Sequence, residues 1–330
     1  MNWQDYPYDF ELEKITAQIK ERDARRVGLQ LPEGLKTVAT SIASELSDAT
    51  DTEVLISGNS CYGACDIDEK LESVVDLLFQ FGHTDTFFLK TRVPALKGKK
   101  RTKVVFVELR SSVDVKPVVA KAVAEIKGDT VGLVSTVQHV HALTEAKEVL
   151  ARMGKEAVIG KSRDLKYEGQ VLGCMFSSAM VPCDDILFVG SGTFHPAGIA
   201  LYTDKRVIAA DPFTMQLNVL EADALRKKRY LAIARALDAK AFGILVSTKS
   251  GQFNPDEAVS LARKAVDKGL NAFVIAMNDI TEVNLLGFKL DAFVNTACPR
   301  LAEDFSQFDV LSKNEFEVVL GVRSWESIYL

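Results

Sequence analysis

The stretch Val54-Leu-Ile-Ser-Gly-Asn-Ser-Cys61-Tyr-Gly-Ala-Cys65-Asp66 passes within a few residues from an apolar run to small, polar and thiol-bearing side chains. That switch predicts a buried strand that delivers two cysteines into the loop at its carboxyl end, where open α/β sheets place ligands. The pattern returns later in the chain. Eleven positions separate Cys65 from Asp76, which opens Asp76-Leu-Leu-Phe-Gln-Phe, and eleven separate Cys174 from Asp185, which opens Asp185-Ile-Leu-Phe-Val. On that register Cys65 and Cys174 are the same position in two repeats.

Working outward, the chain has three similar starts. Val27-Gly28-Leu-Gln-Leu is echoed by Val131-Gly132-Leu-Val-Ser and by Phe242-Gly243-Ile-Leu-Val, with the glycines 104 and 111 positions apart. Asp76, Asp185 and Asp291 open apolar runs at intervals of 109 and 106. A period this long exceeds the roughly 20–50 residues of solenoid units and points to whole domains. Strands that alternate with helices, as at 255–268 between two apolar runs, predict βαβ units and parallel sheets. The expected fold is α/β: three homologous domains, 1–111, 112–211 and 212–330, with parallel sheets flanked by helices. Helices are expected over 10–25, 35–46 and 116–127, with linking helices near 114–127 and 215–238. Short strands are expected at 27–34, 87–89 and 104–110.

Composition sets limits on function. At 330 residues the chain exceeds the roughly 100–200 residues of one domain. With 47% hydrophobic and 26% charged residues it lies within globular norms. Mean hydropathy is +0.06, and no apolar run approaches the roughly 20 residues of a membrane helix. The amino terminus has no basic region followed by an apolar one, so no secretory signal is expected and the cytoplasm is the default compartment. A net charge of −5 argues against non-specific nucleic-acid binding, which depends on Lys and Arg meeting phosphates. The basic cluster from Lys97 to Lys103 reads as a solvated loop. Five cysteines in a reducing compartment are poor candidates for disulfides, and four histidines weaken a mixed Cys/His zinc site.

The third repeat departs from the first two. Ile280 stands eleven residues before Asp291, whereas Cys298 lies seven after it, on the next strand end. If three such domains meet about a pseudo-threefold axis, Cys65, Cys174 and Cys298 converge, and three thiolates suit a four-iron four-sulfur (4Fe-4S) cluster with one iron left open. Cys183 reads as a packing residue at the repeat position of Val74. Cys61 could chelate together with Cys65, yet it has no repeat partner.

Five ordered segments carry a resemblance: Leu29-Gln-Leu-Pro-Glu-Gly-Leu35, Tyr62-Gly-Ala-Cys65-Asp66, Gly169-Gln-Val-Leu-Gly-Cys174, Ser247-Thr-Lys-Ser-Gly-Gln252 and Ala297-Cys298-Pro-Arg300. Together the chain resembles the archaeal diphthamide-biosynthesis enzymes, the 2-(3-amino-3-carboxypropyl)histidine synthases, from about residue 27 to 300. The resemblance implies a 4Fe-4S cluster on Cys65, Cys174 and Cys298. It also implies S-adenosylmethionine as donor of the 3-amino-3-carboxypropyl group, by reductive carbon–sulfur cleavage. The acceptor it implies is C2 of a histidine imidazole in translation elongation factor 2, and the enzyme an external electron donor and a homodimer. The usual radical-enzyme signature Cys-x₃-Cys-x₂-Cys is absent, since no cysteine lies between Cys65 and Cys174. The donor's carboxylate would then meet backbone N–H groups of glycine loops that open helices. Gly190, Gly192 and Thr193 form one such loop, and Lys249, Ser250, Gly251 and Gln252 the other. Glu33 is a weaker candidate. His139, His141 and His195 have no nucleophile beside them, so no residue is assigned a catalytic role. Three other readings remain open: an iron–sulfur dehydratase or synthase of the quinolinate-synthase type, a non-catalytic electron-supplying subunit, and a structural zinc protein.

Overall fold

The computed structural model describes residues 2–85, 103–302, 305 and 307–328. The strand expected at 87–89 and all but the last residue of the basic cluster Lys97–Lys103 lie outside them. One strand order appears three times. The first sheet runs β2-β1-β3-β4, from β1 (Arg26–Gln30), β2 (Glu53–Ile56), β3 (Leu77–Phe81) and β4 (Val104–Val107). The second runs β6-β5-β7-β8-β9, from β5 (Thr130–Ser135), β6 (Glu156–Val158), β7 (Asp185–Val189), β8 (Val207–Ala210) and β9 (Leu217–Leu220). The third runs β11-β10-β12-β13, from β10 (Ala241–Ser247), β11 (Asn271–Met277), β12 (Ala292–Asn295) and β13 (Val310–Ser312). Every pairing is parallel except β8 with β9.

The glycine of each chain start occupies one register position. Gly28 lies between Leu55 and Leu78, Gly132 between Val158 and Ile186, and Gly243 between Phe273 and Phe293. A Cβ there would stand 2.9 Å from a Leu78 methyl, 3.0 Å from the Cys183 sulfur and 2.7 Å from the Phe293 ring, so a neighbouring side chain uses the space that a larger residue would fill. The first-strand pairing also corrects the aspartate register. Val27, Val131 and Phe242 face Leu77, Asp185 and Ala292, so the residue aligned with Asp76 and Asp291 is Asp184. Hydrogen bonding agrees: Asp76 accepts from Arg25 and Arg26 N–H, Asp184 from Asp129 and Thr130 N–H, and Asp291 from Lys240 and Ala241 N–H. The matching interval from Cys174 is therefore ten rather than eleven. Cys65 and Cys174 correspond because each lies in the connection from the second to the third strand of its sheet.

Both faces of each sheet are covered, as parallel sheets require. In the first, Ile15, Ile42 and Leu46 of the helices Leu12–Glu21 and Ala39–Thr50, with Phe10 just ahead of the first helix, pack on Leu29, Phe79 and Phe81, while Ile67, Val75 and Leu78 close the other face. The strand before the cysteines is not buried: β2 is an edge strand with Glu53 and Ile56 exposed, because the protection of a parallel sheet falls to β1 and β3 at its centre. The expected 215–238 helix is shorter as well. Asp211 accepts from Phe213 and Thr214 N–H, an Asx turn that reverses the chain so that β9 pairs with β8, and the helix begins only at Ala222 and ends at Ala236. The second sheet thus extends past residue 211 to Leu220.

The backbone N–H donors hold the Asp76, Asp184 and Asp291 carboxyls below the usual carboxylate range. A carboxyl lowered in the folded state adds stability above its unfolded pKa of about 4, and that stability is lost as pH falls further through the folded value. We predict that thermal unfolding between pH 6 and pH 3 shows a smaller acid-induced fall in Tm when all three aspartates are replaced by Asn. An unchanged acid profile would show that these caps do not hold the sheets.

Candidate functional site

The Cys65 loop is held from below by two glutamines inside otherwise apolar strands. Gln30 of β1 donates to the Asp66 carbonyl at 2.7 Å and accepts from Asp68 N–H at 3.2 Å. Gln80 of β3 donates to the Gly63 and Asp66 carbonyls at 3.2 and 3.3 Å. Both are fully buried, and buried polar side chains persist where they satisfy backbone groups. Neither was singled out in the sequence, although one polar residue in the middle of a buried strand is the signal that could have found them.

From above, the loop after β10 closes on the same segment. Gly251 N–H donates to the Cys65 carbonyl at 3.0 Å, and a Cβ on Gly251 would stand 2.2 Å from that oxygen, so the approach requires glycine. The buried Lys249 ammonium donates to the Asp66 carboxylate at 2.7 Å and to Ser60 Oγ at 2.6 Å, and pairs with Asp279 at 3.1 Å. Burial alone would lower its pKa, but the two carboxylates outweigh it and hold Lys249 above the ordinary lysine value. Its charge is thereby matched within the protein, which gives it the role of clamping the third sheet to the Cys65 loop. Gln252 extends from the same loop to the cysteine, its Nε2 3.7 Å from Cys65 Sγ.

Cys174 occupies the tip of a tight turn. Leu172 and Met175 exchange backbone hydrogen bonds at 2.9 and 3.1 Å, leaving Gly173 and Cys174 between them, and Gly173 accommodates the Phe194 ring where a Cβ would lie 2.3 Å away. Cys298 follows β12, its carbonyl accepting from Asn295 Nδ2 at 2.8 Å. The three thiols sense one another. Burial pushes Cys65 up to about 12, with Cys298 and Cys174 adding to it, and pushes Cys174 up to about 11, with Cys298 adding to it. The Cys174 surface is exposed to solvent although protein surrounds it on most sides, as in the wall of a recess.

A recess beside Cys298 is lined by Tyr62, Lys249, Gln252, Asp279 and Arg300. The Arg300 guanidinium lies 4.7 Å from the Tyr62 ring centre and the Lys249 ammonium 5.2 Å from it. The second glycine loop therefore enters the recess through Lys249 and Gln252. The first does not: Gly192 and Thr193 are exposed beside the helix Phe194–Thr203, and Ser191 and His195 of that segment line a different cavity, the cleft between the first and second sheets. Glu33 is paired with Lys36 at 2.6 Å. Cys61 is buried against Gln80 Nε2 at 3.7 Å and His83 Nδ1 at 4.0 Å. Cys183 packs beside Gly132.

The donor set is three sulfurs. Ligands of one tetrahedral ion bonded at about 2.3 Å stand roughly 4 Å apart, and among the described residues no three His, Cys, Asp or Glu side chains are grouped to hold one ion. Three thiolates near one another would repel, and a cluster, larger than a single ion, has irons that neutralise them.

Relatives point the same way. The diphthamide synthesis protein family model matches residues 31–330. The chain belongs to the diphthamide synthesis family. The 2-(3-amino-3-carboxypropyl)histidine synthase of Pyrococcus horikoshii is 37% identical over 318 residues, covering 94% of this chain and 90% of the relative. Subunit 1 of the synthase from Nematostella vectensis is 29% identical, over 98% of this chain and 69% of its own length. The crystal structure of Dph2 from Pyrococcus horikoshii with a 4Fe-4S cluster superposes with a TM-score of 0.84, covering 96% of this chain and 92% of that one. This family is the one that the five ordered segments resemble.

Two changes test the clamp. Lys249→Met leaves Asp66 buried without its cation and should cost about 3–5 kcal/mol of stability in denaturant unfolding. Gly251→Val should displace the Cys65 loop, and iron bound after anaerobic reconstitution should fall below half of the wild-type level while far-UV circular dichroism is kept.

Proposed function

We propose that this protein transfers the 3-amino-3-carboxypropyl group of S-adenosylmethionine to C2 of a histidine imidazole in elongation factor 2, the first step of diphthamide formation. The observation that carries this reading is the approach of three cysteines, one from a loop of each sheet, with a recess beside Cys298 lined by Gln252 and Arg300. In this reading Cys65, Cys174 and Cys298 bind a 4Fe-4S cluster, and three repeat units, with a second boundary near Leu220, surround it about a pseudo-threefold axis. When bound, that cluster supplies the electron for carbon–sulfur cleavage, from an external donor, and keeps one iron open to the sulfonium. Gln252 orients Cys65, Arg300 receives the donor's carboxylate, and the Lys249 clamp keeps both loops in place. The Gly190–Thr193 loop is assigned to the edge of the site on the side of the second sheet.

The same reading places the enzyme in the cytoplasm, and among the described residues no helix is long and apolar enough to cross a membrane. It also makes the protein a homodimer. Support comes from the edge of the third sheet, where Phe273 and Val274 of β11 are exposed and Val283, Leu286 and Phe288 of the segment that follows are exposed as well, apolar surface of the kind that proteins cover by pairing. Phe273→Arg is expected to shift sedimentation from dimer to monomer.

The deciding experiment is anaerobic incubation of reduced protein with S-adenosylmethionine and elongation factor 2, followed by mass analysis of the factor and assay of methylthioadenosine. Modification by the protein alone is the expected result. An unmodified factor, or a need for a second chain, would reject the proposal. Replacing Cys65, Cys174 or Cys298 with Ala should remove bound iron together with activity, whereas Cys183→Ala should cost about 1 kcal/mol and keep the iron. Cys61→Ala should also keep the iron.

A further inference from the structure

A second cavity, of about 510 Å³, lies at the carboxyl ends of strands from the first and second sheets. Its size falls within the range of roughly 300–1,000 Å³ typical of ligand pockets, and that end of parallel sheets is where such folds bind ligands. Tyr8, Gly82, Leu109, Thr136, His139 and Phe213 form much of its wall. The wall is braced across the two sheets, since Gln138 Nε2 donates to the Gly82 carbonyl at 2.8 Å and to the Glu108 carbonyl at 3.3 Å. Leu109 has φ of 55°, a left-handed conformation uncommon for a bulky residue, and such outliers persist where surrounding structure enforces them.

The chemistry of this cleft differs from that of the recess beside Cys298. Among the described residues no Lys, Arg, Asp or Glu lines it. His139 is 2% exposed, meets the Phe213 ring edge-on at 5.5 Å and has no hydrogen-bond partner at Nδ1 among the described residues. Such a buried polar atom awaits a partner. On its far side the cleft is lined by Ser191 and His195, which flank the start of the helix Phe194–Thr203, whose first ring, Phe194, packs on Gly173 beside Cys174.

We propose that this cleft receives the uncharged imidazole of the acceptor protein, carried in on a backbone segment lying between the first and second sheets; the inference rests on the transferase reading above. An imidazole offers one N–H donor and one nitrogen acceptor on an aromatic ring. Thr136 and His139 line the cleft beside the Tyr8 and Phe213 rings, and the enclosed, unpartnered His139 Nδ1 is the atom an incoming ring would engage. A nucleoside fits less well, because ribose hydroxyls are commonly held by a carboxylate, and among the described residues no carboxylate lines this wall.

The test uses cluster-loaded protein and elongation factor 2. Thr136→Phe fills the cleft, and Phe213→Ala removes a partly exposed part of its wall without burying a new group. The expected result is affinity for the factor reduced about tenfold or more in each variant, with histidine modification falling in parallel. Cleavage of S-adenosylmethionine without the factor, and the cluster absorption, should both stay within about twofold of wild type. Unchanged factor binding in both variants would overturn the proposal. A fall in factor-independent cleavage together with weaker S-adenosylmethionine binding would also overturn it, assigning the cleft to the donor's adenosyl group. A wild-type protein that cleaves S-adenosylmethionine but leaves the factor unmodified would reject the transferase reading itself, and this inference with it.

Discussion

The buried ion pair between Lys249 and Asp66 is the constraint on which the rest of the site depends. Its members come from different sheets, and neither is stable in place alone: an ammonium without Asp66 and Asp279, or a carboxylate without Lys249, would be an uncompensated buried charge. Together they bring the loop after β10 close enough for Gly251 to bond the Cys65 carbonyl. The Cys65 sulfur is thus positioned from two sides, by glutamines of its own sheet and by a clamp from the third.

This arrangement separates two tasks. Gln30 and Gln80 satisfy the loop's backbone from inside the first sheet and make its shape a property of that sheet. The Lys249 clamp then makes the relation between sheets specific, because it is satisfied at one relative placement. Cys174 needs no such clamp: the paired backbone of Leu172 and Met175 projects it from a turn. Burial raises the Cys65 and Cys174 thiols, and neighbouring cysteines add to it, so bare thiolates are unfavourable there and a cationic cluster in their midst would be held firmly.

Charge also divides the space around the site. The recess beside Cys298 carries Lys249, Asp279 and Arg300 and suits an amino-acid group with its own charges. Among the described residues the cleft between the first and second sheets is lined by neutral and aromatic side chains.

By itself the sequence determined the threefold recurrence and the glycine at one register position of each first strand, since strand periodicity and close packing act over a few residues. It misplaced what depends on distant partners. The aspartate opposite the second chain start is Asp184 and not Asp185, because the choice depends on which carboxylate reaches the Asp129 and Thr130 N–H groups across the sheet. β2 looked buried from its apolar run, yet its edge position leaves it half-exposed. Lys249 looked like an anion site, and only the tertiary structure shows its charge matched by Asp66 and Asp279, which lie 183 residues before it and 30 after it. Charge compensation, edge position and the meeting of loops are relations between segments far apart in the chain, and no local pattern of residues encodes them.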